Sequence, residues 1–513
     1  MIRVRPGANT RLPPYRTSEG LGGPDSNRIL NIQSVPCSPV TPPPNAAGAV
    51  GRYYDAAMPA PTVVILAAGE GTRMKSKVPK VLHPLCGRPV IAWVVAAAEE
   101  AGAETIVVVD NPQRRLDGHL PDGVEVAIQD EPRGTGDAAA AARKRIPADG
   151  VVVVVNGDVP LLTGAAIARL VEAHEELGAA ATMGTMEPAD PAGYGRVVRT
   201  AEGDVERVVE TKLEGDASDE ELAIREVNTG VYAFDGGALL EALDQLSPDN
   251  AQAELYLPDV LPAIRAAGHT VAGYPIGDPE LTHGVDDRID LAYAREVAQT
   301  RIHCQHMRAG VTIIDPSSTT IDAGVTIGRD TVVEPGSSLR GATAVGEDCT
   351  IGPMTALIDA ALGDGVSVTH SYLQGARVDG GASVGPFAYL RPDAHLHPGA
   401  KAGAFVEIKN SEIGPGAKVP HLSYIGDADI GQGSNIGAGS ITANWDGRDK
   451  HRTTIGRDVR VSVDTTFVAP VEVGDRAYTG AGSVITEDVP PGALGVARAR
   501  QRNVEGYADR RER

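Results

Sequence analysis

Residues 326–357 read TIGRDTVVEPGSSLRGATAVGEDCTIGPMTAL, and an aliphatic residue returns in this stretch at every sixth position. The period continues on both sides of it. Its apolar positions are Ile321, Ile327, Val333, Leu339, Val345, Ile351 and Leu357, then Val378, Val384, Leu390, Leu396, Ala402 and Ile408, and finally Ile455, Val461, Phe467, Val473 and Ile485. A six-residue repeat is typical of a parallel β-helix, in which three repeats form one triangular coil and the aliphatic residue points inward. Roughly ten coils fit between residues 312 and 490.

Upstream of the repeat, apolar runs alternate with helical patterns. Strands are predicted at residues 63–66, 105–109 and 151–155, and helices at residues 89–101, 138–145 and 165–177. Such alternation predicts a parallel, doubly wound sheet with ligands at the carboxyl ends of its strands. Residues 287–307 indicate a single helix that connects this α/β part to the β-helix.

The composition excludes several classes of partner and site. The formal charge of −21 argues against a nucleic-acid partner and against an anionic membrane surface. No apolar run reaches the 18 or so residues of a membrane span. The four cysteines have no paired spacing, which argues against a disulfide framework and against a zinc site and favours a reducing cytoplasm. Residues 1–57 are rich in Pro, Ser, Gly and Arg and are predicted to be disordered, with Met58 as the natural start.

The first predicted strand runs into a candidate phosphate loop. Residues 63–74 read VVILAAGEGTRM, so the strand ends in small residues, two glycines and a cation, and Lys80 follows. The glycines let backbone N–H groups approach an anion, while Arg73 and Lys80 supply charge. The spacing matches neither the dinucleotide fingerprint nor the P-loop. A plain turn with two surface cations is the alternative interpretation.

Two further features identify a resemblance. Asn156-Gly157-Asp158 follows another buried strand, and the hexapeptide repeat follows the α/β part. In this combination, residues 63–507 resemble the bacterial bifunctional N-acetylglucosamine-1-phosphate uridyltransferases/glucosamine-1-phosphate acetyltransferases. The resemblance implies a Rossmann-like nucleotidyltransferase domain, a connecting helix and a left-handed parallel β-helix, hence an α/β plus all-β fold.

The resemblance also implies the two reactions. Glucosamine 1-phosphate is acetylated by acetyl-CoA, and the product N-acetylglucosamine 1-phosphate then takes uridylyl from UTP in a Mg²⁺-dependent step that releases pyrophosphate. The result is UDP-N-acetylglucosamine for the cell wall. A homotrimer is expected by the same analogy. The expected domains are an extension at 1–57, a uridyltransferase domain at 58–286, a linker at 287–311, a β-helix at 312–500 and a tail at 501–513.

In the α/β part, the resemblance implies a site for UTP and the sugar phosphate, with Mg²⁺ held by two carboxylates. The nucleotide and sugar positions are Leu66, Ala67, Ala68, Gly69, Arg73, Lys80, Gln129, Gly134, Thr135, Gly195, Glu210 and Asn228. Arg73 and Lys80 are the expected catalytic cations. Asp158 matches the metal-binding aspartate, whereas Asp286 stands where the family usually has asparagine. Because a carboxylate is a hard ligand, we expect Asp286 to bind Mg²⁺ as well.

In the β-helix, the resemblance implies a second site with His421 as the general base. The glucosamine-phosphate positions are Arg391, Lys409, Tyr424 and Asn435, and the acetyl-CoA positions are Ala438, Asn444, Trp445, Val463, Ala481 and Arg498. Asn444 and Trp445 fall in a loop, residues 443–454, that interrupts the six-residue register. Three positions depart from the family: Trp445 replaces tyrosine, Ser462 a glycine and Val463 a serine.

Two alternatives stay open at this level. In the first, the chain is a single-function sugar-phosphate nucleotidyltransferase whose β-helix serves assembly or regulation. A purely structural β-helix has no reason to place Arg391, Lys409 and His421 in the family order, which argues against it. In the second, the chain is a non-catalytic scaffold with a degenerate nucleotide domain. The presence of Arg73, Lys80 and Asp158 argues against that interpretation.

Overall fold

The computed structural model describes residues 60–211, 216–248, 254–508 and 510–511. The predictions of a disordered extension at 1–57 and of a start at Met58 fall outside the described residues.

The first half of the described chain is an α/β domain. Its strands are β1 (Thr62–Leu66), β2 (Pro84–Leu85), β3 (Arg88–Pro89), β4 (Thr105–Asp110), β5 (Glu125–Ile128), β6 (Val151–Asn156), β7 (Ala181–Met186), β8 (Arg196–Arg199), β9 (Val205–Val209), β10 (Val227–Asp235) and β11 (Val271–Pro275). Its helices are α1 (Val90–Glu100), α2 (Thr135–Ala141), α3 (Gly164–Leu177), α4 (Asp219–Leu222), α5 (Gly236–Leu243) and α6 (Val260–Ala266).

The main sheet has the strand order β11-β7-β10-β6-β1-β4-β5, and the hairpin β8–β9 extends it beside β10. Strands β6, β1, β4 and β5 are parallel, as predicted. Strand β10 runs antiparallel to both β6 and β7, so the prediction of a wholly parallel sheet is wrong at this strand. Its hydrophobic run is buried on both faces, which is also the pattern of a parallel strand.

Helices cover both faces of the sheet. In β1, Val63 and Ile65 pack with α1 and α3, whereas Val64 packs with α2, α5 and α6 on the other side. This alternation follows from the two-residue period of a strand. Because β1, β4 and β6 are parallel, their carboxyl ends form a single edge of the sheet. The phosphate loop begins at this edge.

The second half is a left-handed parallel β-helix with three sheet faces. The first face contains β12 (Thr312–Ile313), β15 (Val332–Val333), β18 (Thr350–Ile351), β21 (Ser367–Val368), β24 (Ser383–Val384), β27 (Lys401–Ala404) and β30 (Lys418–His421). The second contains β13 (Thr320–Ile321), β16 (Ser338–Arg340), β19 (Ala356–Ile358), β22 (Tyr372–Gln374), β25 (Tyr389–Leu390), β28 (Glu407–Lys409), β31 (Tyr424–Gly426), β33 (Ile441–Ala443), β35 (Thr466–Val468) and β38 (Val484–Ile485). The third contains β14 (Thr326–Ile327), β17 (Ala344–Val345), β20 (Ala361–Leu362), β23 (Arg377–Val378), β26 (Ala394–Leu396), β29 (Ser411–Ile413), β32 (Ala428–Ile430), β34 (Thr453–Ile455) and β36 (Val471–Val473). Strands β37 (Tyr478–Thr479) and β39 (Leu494–Gly495) pair with each other at the end.

The six-residue register is the core of this domain. All the apolar positions of the repeat are buried except Ile327, which is partly buried and packs against the same core. The second face has ten strands, in agreement with the expected number of coils. The loop that was predicted to interrupt the register lies between β33 and β34.

Helix α7 (Arg288–Arg308) connects the two parts, as the sequence predicts. Asp287 caps its first turn by accepting hydrogen bonds from the backbone N–H groups of Ile289 and Asp290. Near the middle of the helix, the side-chain amide of Gln299 donates to Ile321 O at 2.5 Å and accepts from Ile321 N–H at 2.8 Å, which ties α7 to the first coils. Buried side chains of α7 share one core with the β-helix, so the connector is packed rather than extended.

Two observations bear on the compositional predictions. Among the described cysteines, Cys86 and Cys349 are free and buried, whereas Cys304 is disulfide-bonded, a bond that the cysteine spacing does not predict. Among the described helices, none combines the length and apolar character that a membrane crossing requires.

Candidate active sites

The first candidate site lies where β1, β4 and β6 end. The backbone N–H of Ala67 donates to Val109 O at 3.0 Å, and that of Gly157 donates to Leu66 O at 2.8 Å. These bonds hold residues 66–69 between the two neighbouring strands. Ala67 and Ala68 are nearly buried while Gly69 is exposed, so the loop opens to solvent at its glycine end.

Gly71 sets the position of Lys80. Its backbone has a φ of +62°, and a Cβ at this position would overlap the Cβ of Lys80. Glycine is therefore required for two reasons, since the conformation is left-handed and the lysine stem occupies the space. The loop after β1 thus acts as a surface against which Lys80 packs.

Lys80 lies between the two predicted metal ligands. Its Nζ forms an ion pair with Asp158 and a second with Asp286 Oδ1 at 3.0 Å, and Arg73 Nη2 reaches the same Asp286 oxygen at 2.8 Å. The backbone N–H of Val285 donates to Asp158 O at 2.8 Å, so the two acidic loops are tied together. The structure therefore brings all four predicted charged residues into one cluster.

The electrostatics of the cluster favour a charged lysine. Burial by itself would lower the pKa of Lys80, but the carboxylates of Asp158 and Asp286 outweigh it and raise that pKa above its ordinary value. Carboxylate oxygens are the ligands that Mg²⁺ prefers, and Mg²⁺ sites in proteins commonly use one or two of them together with substrate phosphates. The two aspartates, converging on one nitrogen, fit such a site.

A second part of this site lies at the start of α2. The Nε2 of Gln129, a buried side chain, donates to Gly134 O at 3.1 Å and to Asp137 Oδ2 at 2.9 Å. Thr135 Oγ1 accepts from the backbone N–H of Leu257 at 3.0 Å. The structure therefore brings the three predicted positions Gln129, Gly134 and Thr135 together at one corner.

The third part surrounds a bulge in β10. Asn228 N–H donates to Gly195 O at 2.9 Å, and Asn228 Oδ1 accepts from Gly230 N–H at 2.9 Å. A Cβ on Gly195 would lie 3.6 Å from Glu210 Oε1, so the three predicted sugar positions are neighbours. Gly230 has a φ of +77° and packs against the amide of Asn156, which connects the bulge to the Asp158 turn.

The second candidate site follows a corner of the β-helix. Ala404, His421, Ala438, Val463 and Ala481 occupy equivalent positions in five successive coils. Each of the first four carbonyls accepts the backbone N–H that follows the next member, at 2.8–3.3 Å. His421 therefore stands directly before the three predicted acetyl-CoA positions Ala438, Val463 and Ala481 in this column. Within the described residues, its imidazole makes no hydrogen bond.

The predicted phosphate-binding cations lie at the opposite edge of the second face. Arg391 Nη1 pairs with Glu407 Oε1 at 2.9 Å, and Lys409 Nζ pairs with both oxygens of Asp427 at 3.1 Å. The backbone N–H of Arg391 donates to Ile408 O, which places Arg391 beside Lys409 in adjacent coils. Tyr424 lies across Gly426 toward this edge, because a Cβ on that glycine would overlap its hydroxyl.

Asp427 organises this edge. It accepts hydrogen bonds from Lys409, from Asn410 Nδ2 at 2.6 Å and from Asn444 Nδ2. Burial would raise the pKa of Asp427, but the bonds from Asn410, Asn444 and Lys409 hold it below its ordinary value. One carboxylate thus ties three coils together at the predicted sugar-phosphate cations.

Other predicted positions lie apart within one chain. Asn435 pairs with Lys418 on the first face, and Trp445 is 57 % exposed in the loop after β33. Arg498 is exposed near the carboxyl end. A single chain therefore does not gather all the predicted acetyl-transfer residues into one pocket.

Comparison with known proteins shows which family has this combination of domains. A MobA-like NTP transferase domain matches residues 63–251. Proteins named bifunctional protein GlmU are 51 % identical in Mycolicibacterium gilvum and 49 % identical in Mycobacterium tuberculosis H37Ra, each over 88 % of this chain and 92 % of the relative. The protein of that name in Streptomyces coelicolor is 50 % identical over 88 % of this chain and 94 % of its own length. The chain belongs to the bifunctional GlmU family.

Sequence reasoning missed two residues in this GlmU-family chain. Asp427 was not singled out, since its partners Lys409 and Asn444 lie 18 and 17 positions away and meet only through coil stacking. At Asn156 the sequence predicts only a turn. The one sequence feature that points to Asn156 is Gly230, because a side chain at that position would overlap the Asn156 amide.

Proposed function

We propose that this chain makes UDP-N-acetylglucosamine in two steps, at the two sites described above. The β-helix N-acetylates glucosamine 1-phosphate with acetyl-CoA, and the α/β domain transfers uridylyl from UTP to the product. The observation that carries this proposal is the presence of two separate charged centres in a GlmU-family chain. The limits 58–286 and 312–500 divide the two activities, with 287–311 as the linker.

In the uridylyl transfer, the attacking group is a sugar-phosphate oxygen and the leaving group is pyrophosphate. Arg73 and Lys80 neutralise the phosphate charge and align the reactants at the α-phosphorus, so no covalent intermediate is needed. The raised pKa of Lys80 keeps its ammonium charged throughout the physiological range. Gln129 uses its Nε2 inside the protein, which leaves its Oε1 to accept from the imide N–H of uracil. Gly195, Glu210 and Asn228 hold the sugar.

Asp158 and Asp286 are the residues that would hold Mg²⁺. When bound, the ion supplies charge neutralisation at the phosphate oxygens. Lys80 lies between the two carboxylates, and its positive charge partly neutralises theirs.

In the acetyl transfer, the nucleophile is the glucosamine amine. His421 accepts a proton from this amine as it attacks the thioester carbonyl of acetyl-CoA, and the carbon–sulfur bond breaks as coenzyme A leaves. Arg391 and Lys409 bind the sugar phosphate, and Tyr424 and Asn435 contact the sugar. The column of Ala438, Val463 and Ala481, with Asn444, Trp445 and Arg498, provides the acetyl-CoA surface.

We also propose that the enzyme is a cytoplasmic homotrimer. The residues that follow the His421 column in each coil form a ladder of the exposed Met354, Phe387, Phe405 and Leu422 and the half-buried His370. All five have a positive φ between 44° and 59°, and Phe387 and Phe405 stack with ring centroids 5.2 Å apart. A groove of about 340 Å³ runs beside the first members.

The ladder supports self-association for an energetic reason. A left-handed conformation costs a non-glycine residue about 1–2 kcal/mol, and Gly336 and Gly439 continue the same column without that cost. Large apolar side chains exposed at such positions need a partner surface to bury them. In the proposed trimer, a neighbouring chain brings residues next to the His421 imidazole, which has no hydrogen-bond partner within the described residues of one chain. It also completes the acetyl-transfer site around Asn435 and Trp445, which lie apart within one chain.

Reciprocal variants test the proposed function. We expect His421→Ala to abolish acetyl transfer and to leave pyrophosphate release from UTP and N-acetylglucosamine 1-phosphate unchanged. We expect Lys80→Ala to have the opposite effect, with at least a hundredfold loss of pyrophosphate release. Loss of both activities in either properly folded variant would overturn the assignment of two independent sites.

A further inference from the structure

A second polar cluster lies on the third face of the β-helix, away from the His421 column. It comprises Asp379, His395, His397 and Glu412, which come from three successive coils. Arg377 pairs with His395, and His395 pairs with Glu412, in the ladder of β23, β26 and β29. Leu396, between the two histidines, is fully buried, so the imidazoles project from the outer side of the same strand.

The four side chains form a closed ring of contacts. His395 Nε2 lies 2.9 Å from Asp379 Oδ2, and His395 Nδ1 lies 2.8 Å from Glu412 Oε2. His397 repeats the pattern, with Nδ1 3.7 Å from Asp379 Oδ2 and Nε2 2.8 Å from Glu412 Oε2. The two imidazoles lie 3.9 Å apart between centroids. One oxygen of each carboxylate, Asp379 Oδ2 and Glu412 Oε2, therefore faces one nitrogen of each ring.

This geometry is close to that of a metal site. Ligand atoms of Asp379, His395 and His397 all lie within 4.8 Å of one another. Tetrahedral ligands bound 2.0–2.1 Å from zinc are about 3.3 Å apart, so small side-chain rotations would suffice. Two imidazoles and one carboxylate form a nitrogen and oxygen donor set that suits Zn²⁺ and its neighbours in the first transition row, with the fourth position left for water.

The neighbouring arginines do not occupy the atoms that would bind the metal. Arg377 Nε donates to Asp379 Oδ1 at 2.9 Å, so Oδ2 is the oxygen that faces the imidazoles. Arg452 interacts with Glu412 electrostatically but forms its ion pair with Asp429 in the next coil. Asp379 and His395 are about four-fifths buried, which limits competition from water. Because all ligands stand on sheet strands or their ends, the site is preorganised.

We propose that Asp379, His395 and His397 bind one divalent transition-metal ion of the zinc class, while Glu412 holds the two imidazoles from their opposite nitrogens. The ion would cross-link two coils. One of these coils carries Arg391, so the metal would stiffen the stretch that holds this sugar-phosphate cation. The site is separate from the Mg²⁺ position at Asp158 and Asp286, which lies in the other domain.

Metal binding by the full-length protein tests the site. After chelator treatment, equilibrium dialysis against Zn²⁺ compares the wild type, the double variant H395Q/H397Q and the control H119Q/H269Q, whose histidines are exposed in the α/β domain. We expect the wild type and the control to bind one more Zn²⁺ per chain than H395Q/H397Q does. Circular dichroism and pyrophosphate release verify that each variant is folded.

Cobalt adds a test of geometry. Co²⁺ in a tetrahedral nitrogen and oxygen site absorbs strongly in the visible range, whereas octahedral Co²⁺ absorbs weakly. We expect the strong bands in the wild type and the control, their loss on adding Zn²⁺, and their absence in H395Q/H397Q. Zn²⁺ should also raise the thermal unfolding midpoint of the wild type and the control, but not that of H395Q/H397Q. Equal metal binding by all three, or none by the wild type, would overturn the proposal.

Discussion

At the scale of single residues, Asp286 is the most informative departure from the family pattern. It shares Lys80 with Asp158 and also receives Arg73, so it belongs to the charged cluster although asparagine is usual at this position. An aspartate here adds one negative charge next to two phosphate-binding cations. The side chain thus balances Arg73 and Lys80 when no phosphate is present.

We predict that Asp286→Ala abolishes Mg²⁺-dependent pyrophosphate release and leaves acetyl transfer intact, because it removes one of two carboxylates at the metal position. Asp286→Asn, which restores the usual family residue, should retain measurable activity with a changed Mg²⁺ requirement. Pyrophosphate release as a function of Mg²⁺ concentration provides the measurement. Asp117→Ala, at a surface pair with Arg114, is the control. Normal release by Asp286→Ala would remove Asp286 from the site.

A second prediction concerns Gly71. Gly71→Ala forces a Cβ into the stem of Lys80, so we expect at least a tenfold loss of pyrophosphate release. Gly102→Ala is the matched control: Gly102 also has a positive φ, of 76°, but a Cβ there would meet nothing within 4 Å. Both variants should lose about 1 kcal/mol of unfolding free energy from the left-handed backbone. A comparable loss of activity in both variants would show that backbone strain, and not the displacement of Lys80, is responsible.

At the scale of elements, the repeat shows how much the sequence predicts. The six-residue register alone located the β-helix and its interruption before β34, because one inward position per repeat must be apolar. The direction of β10 was not predictable, since a strand buried on both faces has the same apolar pattern whether parallel or antiparallel. The polar edge around Asp427 was missed for a different reason, since its contacts depend on which coils stack.

We predict that Asp427→Asn weakens this edge in a pH-dependent way. The folded pKa of Asp427 lies below its unfolded value of 3.8, so its stabilisation is present above about pH 4 and is lost as the pH falls through the folded value. At pH 7 the variant should lose about 1–3 kcal/mol, the typical effect of hydrogen bonds to a charged group. The difference from wild type should shrink toward pH 3. Urea unfolding at both values measures it.

Asp429→Asn is the control for Asp427→Asn. Asp429 is two residues further along and forms a more exposed pair with Arg452. Its loss should cost less than about 1 kcal/mol, as surface pairs do. If Asp427→Asn is no less stable than Asp429→Asn at pH 7, then Asp427 does not tie the coils together.

At the scale of the whole molecule, the apolar ladder predicts the assembly. Phe387→Ser/Phe405→Ser removes the stacked rings from the exposed corner, so we expect a trimer to become a monomer in sedimentation velocity. Acetyl transfer should fall at least tenfold because its site needs a neighbouring chain, while pyrophosphate release persists. Leu177→Ser/Ile289→Ser, at two exposed apolar positions outside the ladder, should remain trimeric. A wild-type protein that sediments as a monomer would contradict the assembly.

The central claim is that one chain carries out two reactions in sequence, and a coupled assay on one purified preparation tests it most directly. The protein receives glucosamine 1-phosphate, acetyl-CoA, UTP and Mg²⁺, and the release of coenzyme A and of pyrophosphate is followed over time. We predict that coenzyme A appears first, that pyrophosphate follows after a lag, and that omission of acetyl-CoA prevents both. Pyrophosphate release from UTP and N-acetylglucosamine 1-phosphate without any acetyl transfer would instead identify a single-function nucleotidyltransferase.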